Sequence, residues 1–227
     1  MLVAIHQPVY LPWLGFLDKA KKADTFVLLD SVLFTRGSVI NRNRIKTKRG
    51  PIWLTVPVHH RSDTLIQDVE TVDCGWEKRH WKSLVCNYSR ASHFGEFSGF
   101  FEKLYGQRWC LLSVVNEAII RFLFECFDIH PKVVKASNLK VQGKSSQLLV
   151  NICKAVGAST YLCGMGSAYL NTAIFEREGI GVQFQKFVSP VYPQLFGGAF
   201  TPNLSAVDYL FNCGAKSSMS ASLYEKV

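Results

Sequence analysis

The sequence of 227 residues lacks the patterns that would identify a function directly. It has no GxSxG nucleophile turn, no phosphate-binding P-loop, no HxxxD acyl-transfer motif and no pair of carboxylates at a readable spacing. RNP segments, zinc fingers and helix-turn-helix signatures are also missing. Function must therefore be inferred from where polar residues fall relative to the predicted strands and helices.

Long apolar segments are missing as well. No run of 18 apolar residues occurs, and residues 111–127, the longest candidate, are interrupted by polar and charged side chains. The N-terminus has no basic region followed by an uninterrupted apolar region, so we predict no secretory signal. We expect a protein of the cytoplasm without membrane insertion.

The seven cysteines never form a CxxC pair. They are scattered, mostly among apolar neighbours, which is typical of buried reduced thiols. A zinc site needs ligands paired at short spacing. His59 and His60 are adjacent, but neighbouring residues of a strand point to opposite faces. We therefore predict no metal site.

Composition indicates a folded protein with an anionic partner. At 48% hydrophobic and 19% charged residues the chain can bury a full core, and its net charge is +9. The densest basic patch, residues 36–49, has almost no interleaved aromatics, which argues against nucleic acid. The patch is either a solvated hairpin or a phosphate-binding loop. We expect a phosphorylated small-molecule substrate, and the oligomeric state stays open.

Two β-α-β patterns predict the fold. The first is a strand from residue 3, a helix over residues 14–23 and a strand over residues 26–29; the second includes a helix over residues 145–156 and the strand Thr160–Cys163. A predicted hairpin (residues 39–46 and 52–58) and three helices separate them. We expect one α/β domain over residues 1–227, three-layered, with a mostly parallel sheet and residues 75–130 as a helical cap or insertion after the N-terminal hairpin.

Polar residues follow the first two predicted strands. His6, Gln7 and Asp30 fall at carboxyl ends, where open α/β sheets bind ligands. His6 is the best candidate general base, and a hydrogen-bonded structural histidine is the alternative. Gln7 is placed as a catalytic donor and Asp30 as a substrate-binding residue. Tyr10 and Trp13, in the proline-bracketed turn, are further candidate substrate-binding residues.

The predicted hairpin carries alternating amides and guanidinium groups. On one strand, Asn41 and Asn43 share a face and Arg42 and Arg44 share the other. This pattern would place Asn43 as a catalytic amide, Asn41 against the substrate, and both arginines on phosphate. A solvated edge hairpin is the alternative.

A glycine-rich loop follows the Thr160 strand. Gly164 and Gly166 are candidate phosphate-binding residues, because glycine lets the backbone approach a phosphate before a helix N-terminus. The spacing falls short of a dinucleotide fingerprint, and plain helix capping explains the loop equally well.

Four blocks, in order along nearly the whole chain, resemble the WbqC-like protein family. The first joins Ile5-His6-Gln7-Pro8 to Tyr10-Leu11-Pro12-Trp13-Leu14-Gly15-Phe16. The second joins Asn41-Arg42-Asn43 to Trp53-Leu54-Thr55-Val56-Pro57-Val58, and the third runs from Ala158 to Gly166, with Cys163 where Ser is more usual. The last starts at Phe200-Thr201-Pro202-Asn203-Leu204-Ser205 and continues through Asp208 to Gly214.

The resemblance implies a cytoplasmic step on activated sugars, since members of this family are associated with gene sets for O-antigen and other surface glycans. The leading hypothesis is a transferase of bacterial surface-polysaccharide (O-antigen) biosynthesis that moves an acyl or aminoacyl group to a nucleotide-activated amino sugar. The cofactor stays open, with an acyl thioester as one candidate donor. Asn171 stands where similar proteins often have Asp, which puts a catalytic carboxylate there in doubt.

Two alternatives remain. One is a non-catalytic protein that binds a nucleotide sugar or glycan precursor. The other is a nucleotidyltransferase-like enzyme, suggested only by a weak similarity of the Pro-Trp-x-Gly turn to the HxGH loop of that group.

Overall fold

The computed structural model describes residues 1–164 and 170–215, and the chain opens with the predicted β-α-β unit. Strand β1 (Leu2–His6) leads through a loop to helix α1 (Leu14–Lys21) and then to strand β2 (Thr25–Leu28). β1 and β2 pair in parallel and are largely buried, as their continuous apolar runs indicate.

The predicted basic hairpin follows. Strands β3 (Arg42–Thr47) and β4 (Gly50–Thr55) pair antiparallel, and a smaller pair is formed by β5 (Val58–His59) and β6 (Glu70–Thr71). Between β5 and β6 the chain forms a 3-10 turn, Ile66–Asp68. Backbone N–H groups of Ile66 and Gln67 donate to carbonyls of Val32 and Asp30, which ties this segment to the chain after β2.

Three amphipathic helices occupy residues 76–126: α2 (Trp76–Tyr88), α3 (Phe94–Tyr105) and α4 (Leu112–Cys126). Their aromatic stripes are core: Phe101 is fully buried, and the rings of Phe100 and Phe122 stack with centroids 3.7 Å apart. The three helices share one continuous apolar cluster with α1 and the hairpin. That placement makes them one wall of the fold's main core.

The remaining elements complete a five-stranded parallel sheet. In chain order they are β7 (Lys132–Lys135), α5 (Ala136–Leu139), α6 (Ser145–Ala155), β8 (Thr160–Cys163), α7 (Thr172–Arg177), β9 (Gly181–Phe184) and α8 (Ala206–Cys213). The sheet order is β7-β2-β1-β8-β9, so β1 and β8 both lie inside the sheet.

Helices cover both faces of this sheet, which confirms the predicted three-layer α/β fold. Alternation along β1 and β8 divides the core: Ala4 and Leu162 join the cluster of α1 to α4 and α8, whereas Val3, Ile5 and Tyr161 join a second cluster with α6 and α7. No described helix is both long and apolar enough to cross a membrane.

The strand order reverses between β1 and β8. From β1 the chain builds outward through β2 and β7, and it then returns to the other side to add β8 and β9. In open α/β sheets, the crevice at the carboxyl ends of the strands flanking such a reversal is where ligands bind.

Candidate functional site

A cleft of about 430 Å³ opens at this reversal point. Its walls come from the carboxyl ends of β1, β8 and β9, from the turn before α1 and from α1 itself. The volume is in the range of small-molecule sites. Two predicted catalytic residues, His6 and Gln7, line it, together with Trp13 and Gly164 from the predicted substrate-binding set.

His6 lies at the end of β1, and a hydrogen bond determines which of its two ring nitrogens carries the proton. Its Nδ1 lies 2.9 Å from the carbonyl oxygen of Gln7. A carbonyl only accepts, so Nδ1 carries the proton of the neutral ring and Nε2 holds a lone pair. The residue keeps some surface on the cleft, but Trp13 and Phe16 enclose its ring at centroid distances of 5.5 and 5.0 Å. Burial and the charge of Lys19 lower the pKa of His6 to about 4, so the ring is neutral at pH 7.

Lys19 projects from α1 into the same cleft and was missed by sequence reasoning. The residue is 3% exposed, and its Nζ donates to the carbonyl oxygen of Ile5 at 2.7 Å. It also lies 5.8 Å from the ring centroid of Tyr161. Burial lowers its pKa to about 8, which leaves it mostly protonated at pH 7. A cation this deeply buried is rare without a paired carboxylate.

Gln185, directly after β9, presents an acceptor to the cleft. Its Nε2 donates to the carbonyl of Gly15 at 2.8 Å and to Asp18 Oδ2 at 2.6 Å. Only the amide nitrogen can satisfy two acceptors, so the orientation of this amide is determined. Asp18 also accepts from Lys22 at 2.8 Å. Gln185 Oε1 is therefore the atom left to meet a ligand.

Aromatic rings form the apolar wall of the cleft. Trp13 lies at the N-terminus of α1, with its indole directly over Gly15: a Cβ at Gly15 would lie 2.7 Å from Trp13 Nε1 and 3.0 Å from Phe187 Cδ1. The absence of a side chain at Gly15 is thus what allows Trp13 and Phe187 to meet above α1. Flat rings at such a wall suit the apolar face of a sugar or a base.

The two hairpin asparagines lie away from the cleft lining. Asn43 is buried; its amide donates to the carbonyl of Leu11 at 2.6 Å, and its Oδ1 accepts from the Arg44 backbone at 2.8 Å. Asn41 donates to the carbonyl of Val56 at 2.9 Å. Leu11 has a left-handed backbone, with φ of 45°, so Asn43 holds the strained turn that carries Trp13.

The hairpin arginines share one face, as the alternation indicates, but that face does not border the cleft. The guanidinium carbons of Arg42 and Arg44 lie 4.4 and 5.7 Å from the ring centroid of Trp53. Arg44 also reaches the carbonyl of Asn203 at 3.5 Å. These arginines are engaged in cation–π contacts on the opposite strand, and Lys19 is the cation that the fold brings to His6.

Two other predicted substrate-binding residues are placed elsewhere. Tyr10 is fully buried, with its hydroxyl between Tyr105 and His80. Asp30 is buried after β2; it accepts from the backbone N–H and the hydroxyl of Ser137 at 2.9 and 2.8 Å, at the start of α5. Gly166 lies outside the described residues.

Sequence reasoning missed Lys19 and Gln185 because both sit in plainly amphipathic or alternating segments. Lys19 comes five residues after Leu14, so helical periodicity turns it away from the apolar stripe. It is buried because the whole segment from Leu14 to Ala20 is enclosed. Neither Lys19 nor Gln185 therefore carried a signal in the sequence.

Comparison with known proteins supports one family. A model of the WbqC-like protein family matches residues 7–220. The chain is also 32% identical over 219 residues to the uncharacterized protein Rv1507c of Mycobacterium tuberculosis (strain ATCC 25618 / H37Rv), a match that covers 94% of each chain. No solved structure matches the chain.

Proposed function

The chain belongs to the WbqC-like protein family, and we propose that it is a transferase that moves an acyl or aminoacyl group to the amine of a nucleotide-activated amino sugar. The reaction takes place in the cleft between the carboxyl ends of β1 and β8. The observation that carries the proposal is the neutral His6, whose Nδ1–H is held by the Gln7 carbonyl so that Nε2 is a proton acceptor at the reversal point of the sheet.

Acyl transfer to an amine needs an acceptor for one proton. The amine nitrogen attacks the carbonyl carbon of the donor, an acyl thioester in the simplest case, and the nitrogen of the resulting tetrahedral adduct becomes strongly acidic. His6 Nε2 accepts that proton. A ring with a pKa of about 4 is too weak a base for a free ammonium, so the sugar amine must enter neutral.

The same low pKa makes protonated His6 a strong acid. As the carbon–sulfur bond breaks, the imidazolium returns the proton to the leaving thiolate, and the ring is neutral again for the next cycle. Gln7 lines the same cleft, and its side-chain amide is a candidate donor for the developing oxyanion. Gln185 Oε1 suits a sugar hydroxyl or the entering amine, since it accepts but does not donate.

One observation favours a second function, that of a non-catalytic binding protein. Among the described residues that line the cleft there is no carboxylate, no serine and no cysteine. Proton transfer there is thus left to His6 and to Lys19, whose pKa of about 8 is the closer of the two to neutral. An enclosed aromatic cleft with fixed polar groups would also suit recognition alone.

Mass spectrometry of reaction mixtures separates the two functions. The intact protein is incubated with a panel of nucleotide-linked amino sugars and acyl thioesters, and the N-acylated product is quantified. His6→Ala should reduce turnover by about 10²–10⁴-fold while leaving calorimetric sugar binding unchanged. His59→Ala, at an exposed histidine of β5, is the matched control and should retain full turnover.

Unchanged turnover in His6→Ala would remove the catalytic role of this residue. Sugar binding without reaction of any donor and acceptor pair would favour the binding protein.

A further inference from the structure

We propose that Lys19 is the anion-binding group of the cleft and that it holds an oxyanion of the ligand, from a phosphate or a carboxylate group, beside His6. The inference deepens the proposed function and rests on it only in taking the cleft as the ligand site. The anion-binding role that the sequence suggested for Arg42 and Arg44, which lie on Trp53, is thereby assigned to a residue of α1.

The burial of Lys19 is the first observation. The side chain is about as enclosed as the apolar residues around it, at 3% exposure, yet it lines the cleft. Within the part of the chain that the structure describes, no carboxylate lies within salt-bridge distance of its Nζ. Asp18, its neighbour in α1, is already bound by Lys22 and Gln185. A buried ammonium left without a counter-charge is costly unless a ligand supplies one.

The direction of the ammonium is the second observation. One of its three protons is used by the Ile5 carbonyl at 2.7 Å, which anchors the group at the end of β1. The other two have no acceptor among the described residues, apart from the weak attraction of the Tyr161 ring at 5.8 Å. The side chains of Lys19 and His6 both line the cleft and the charge of Lys19 acts on the imidazole, so an oxyanion bound there lies near His6.

The adjacency of Lys19 and His6 has a chemical consequence. The titratable groups around Lys19 are His6 from β1, Asp18 from α1, and Tyr161 and Cys163 from β8. The positive charge of Lys19 helps to hold the pKa of His6 low. A bound oxyanion offsets that charge, so His6 becomes a better proton acceptor only when the ligand is in place.

Calorimetric titration with pyrophosphate and with malonate tests the anchor and distinguishes the two sources of the oxyanion. The full chain is compared with Lys19→Met, which keeps an unbranched side chain but removes the charged group, and with Lys21→Met, the same change at an exposed position of α1. We expect one probe to bind the wild type and Lys21→Met equally, and Lys19→Met about tenfold or more weakly. Equal binding to all three proteins, or no binding of either probe to the wild type, would overturn the inference.

Histidine NMR on the wild type gives a second readout that does not depend on a variant folding. The His6 ring signals are titrated with pH in the absence and presence of the bound probe. The titration midpoint should rise when the probe binds, and an unchanged midpoint would contradict placement of the anion beside His6. The transferase proposal can fail independently: loss of anion binding in Lys19→Met without any detectable turnover would keep the anchor and remove the reaction.

Discussion

Replacement of Lys19 by Met should reveal the energetic cost of an unpaired buried cation. The lysine is enclosed on α1, donates to the Ile5 carbonyl and has a pKa lowered by burial from 10.5 to about 8. A group whose folded pKa is lower than its unfolded pKa destabilises the fold while it is charged in both states. That penalty is fully present below pH 8 and disappears above pH 10.5, because the unfolded chain holds the extra proton between those values.

The size of the effect follows from the pKa difference. A lowering from 10.5 to about 8 corresponds to roughly 3 kcal/mol against the charged form. Met removes that penalty but also the hydrogen bond to Ile5, which costs about 1.5–3 kcal/mol. At pH 7 the hydrogen bond offsets half or more of the penalty, so Lys19→Met should be as stable as the wild type or more stable by up to about 1.5 kcal/mol. As the pH rises to 10, the wild type should gain ~2.5 kcal/mol relative to the variant.

Urea unfolding followed by circular dichroism, at intervals from pH 6 to pH 10, measures this difference. Tyrosine ionisation and other alkaline effects are common to both proteins and cancel in the comparison. Lys21→Met, on the exposed side of α1, is the control for loss of a lysine charge at an exposed position. If the difference in stability between Lys19→Met and the wild type does not change with pH, the ammonium is compensated within the folded protein and the reasoning that Lys19 binds an anion of the ligand fails.

Two further substitutions test how the cleft wall is held. Gly15→Ala would place a Cβ 2.7 Å from Trp13 Nε1. We therefore expect Trp13 to be displaced and ligand binding, measured by calorimetry, to be weakened by about tenfold. The control is Gly99→Ala, whose Cβ meets nothing within 4 Å and which should stabilise α3 by up to about 1 kcal/mol. Asn43→Ala leaves the Leu11 carbonyl and the Arg44 N–H without their partners. In urea titration the free energy of unfolding should therefore fall by about 2–4 kcal/mol. A loss under about 0.5 kcal/mol, as expected for a surface substitution, would show that Asn43 does not hold the turn.

The contrast between Asn43 and His6 shows that the same sequence pattern, a polar residue beside an apolar strand, can indicate either a structural residue or a cleft residue. Both stand in the blocks that resemble the family, and both are polar residues beside apolar strands. In the structure Asn43 binds backbone groups of the turn that carries Trp13, whereas His6 faces the cleft behind that turn. A buried amide is needed there because the Leu11 carbonyl has no strand partner. Asn43 therefore shapes the site from the side of the hairpin.

The sequence by itself determined the fold class and the end of the sheet at which the site lies. Apolar runs of strand length at residues 3–5, 26–29 and 160–163, separated by helical periodicity, are sufficient to predict a parallel sheet, because parallel strands must be buried on both faces. Polar residues directly after a strand are local information too, so His6 and Gln7 were accessible without a structure.

Tertiary structure alone decided which polar residues share the cleft. Asp30 and the hairpin pairs satisfy the same local rules as His6, but the order β7-β2-β1-β8-β9 places the reversal beside β1 and leaves Asp30 to hold Ser137 at the start of α5. Lys19 and Gln185 come from segments 166 positions apart and meet His6 only because α1 and β9 both border that reversal. The periodicity of a single segment cannot predict that these residues come together, because their proximity depends on strand order. Strand order is in turn set by the packing of the whole chain.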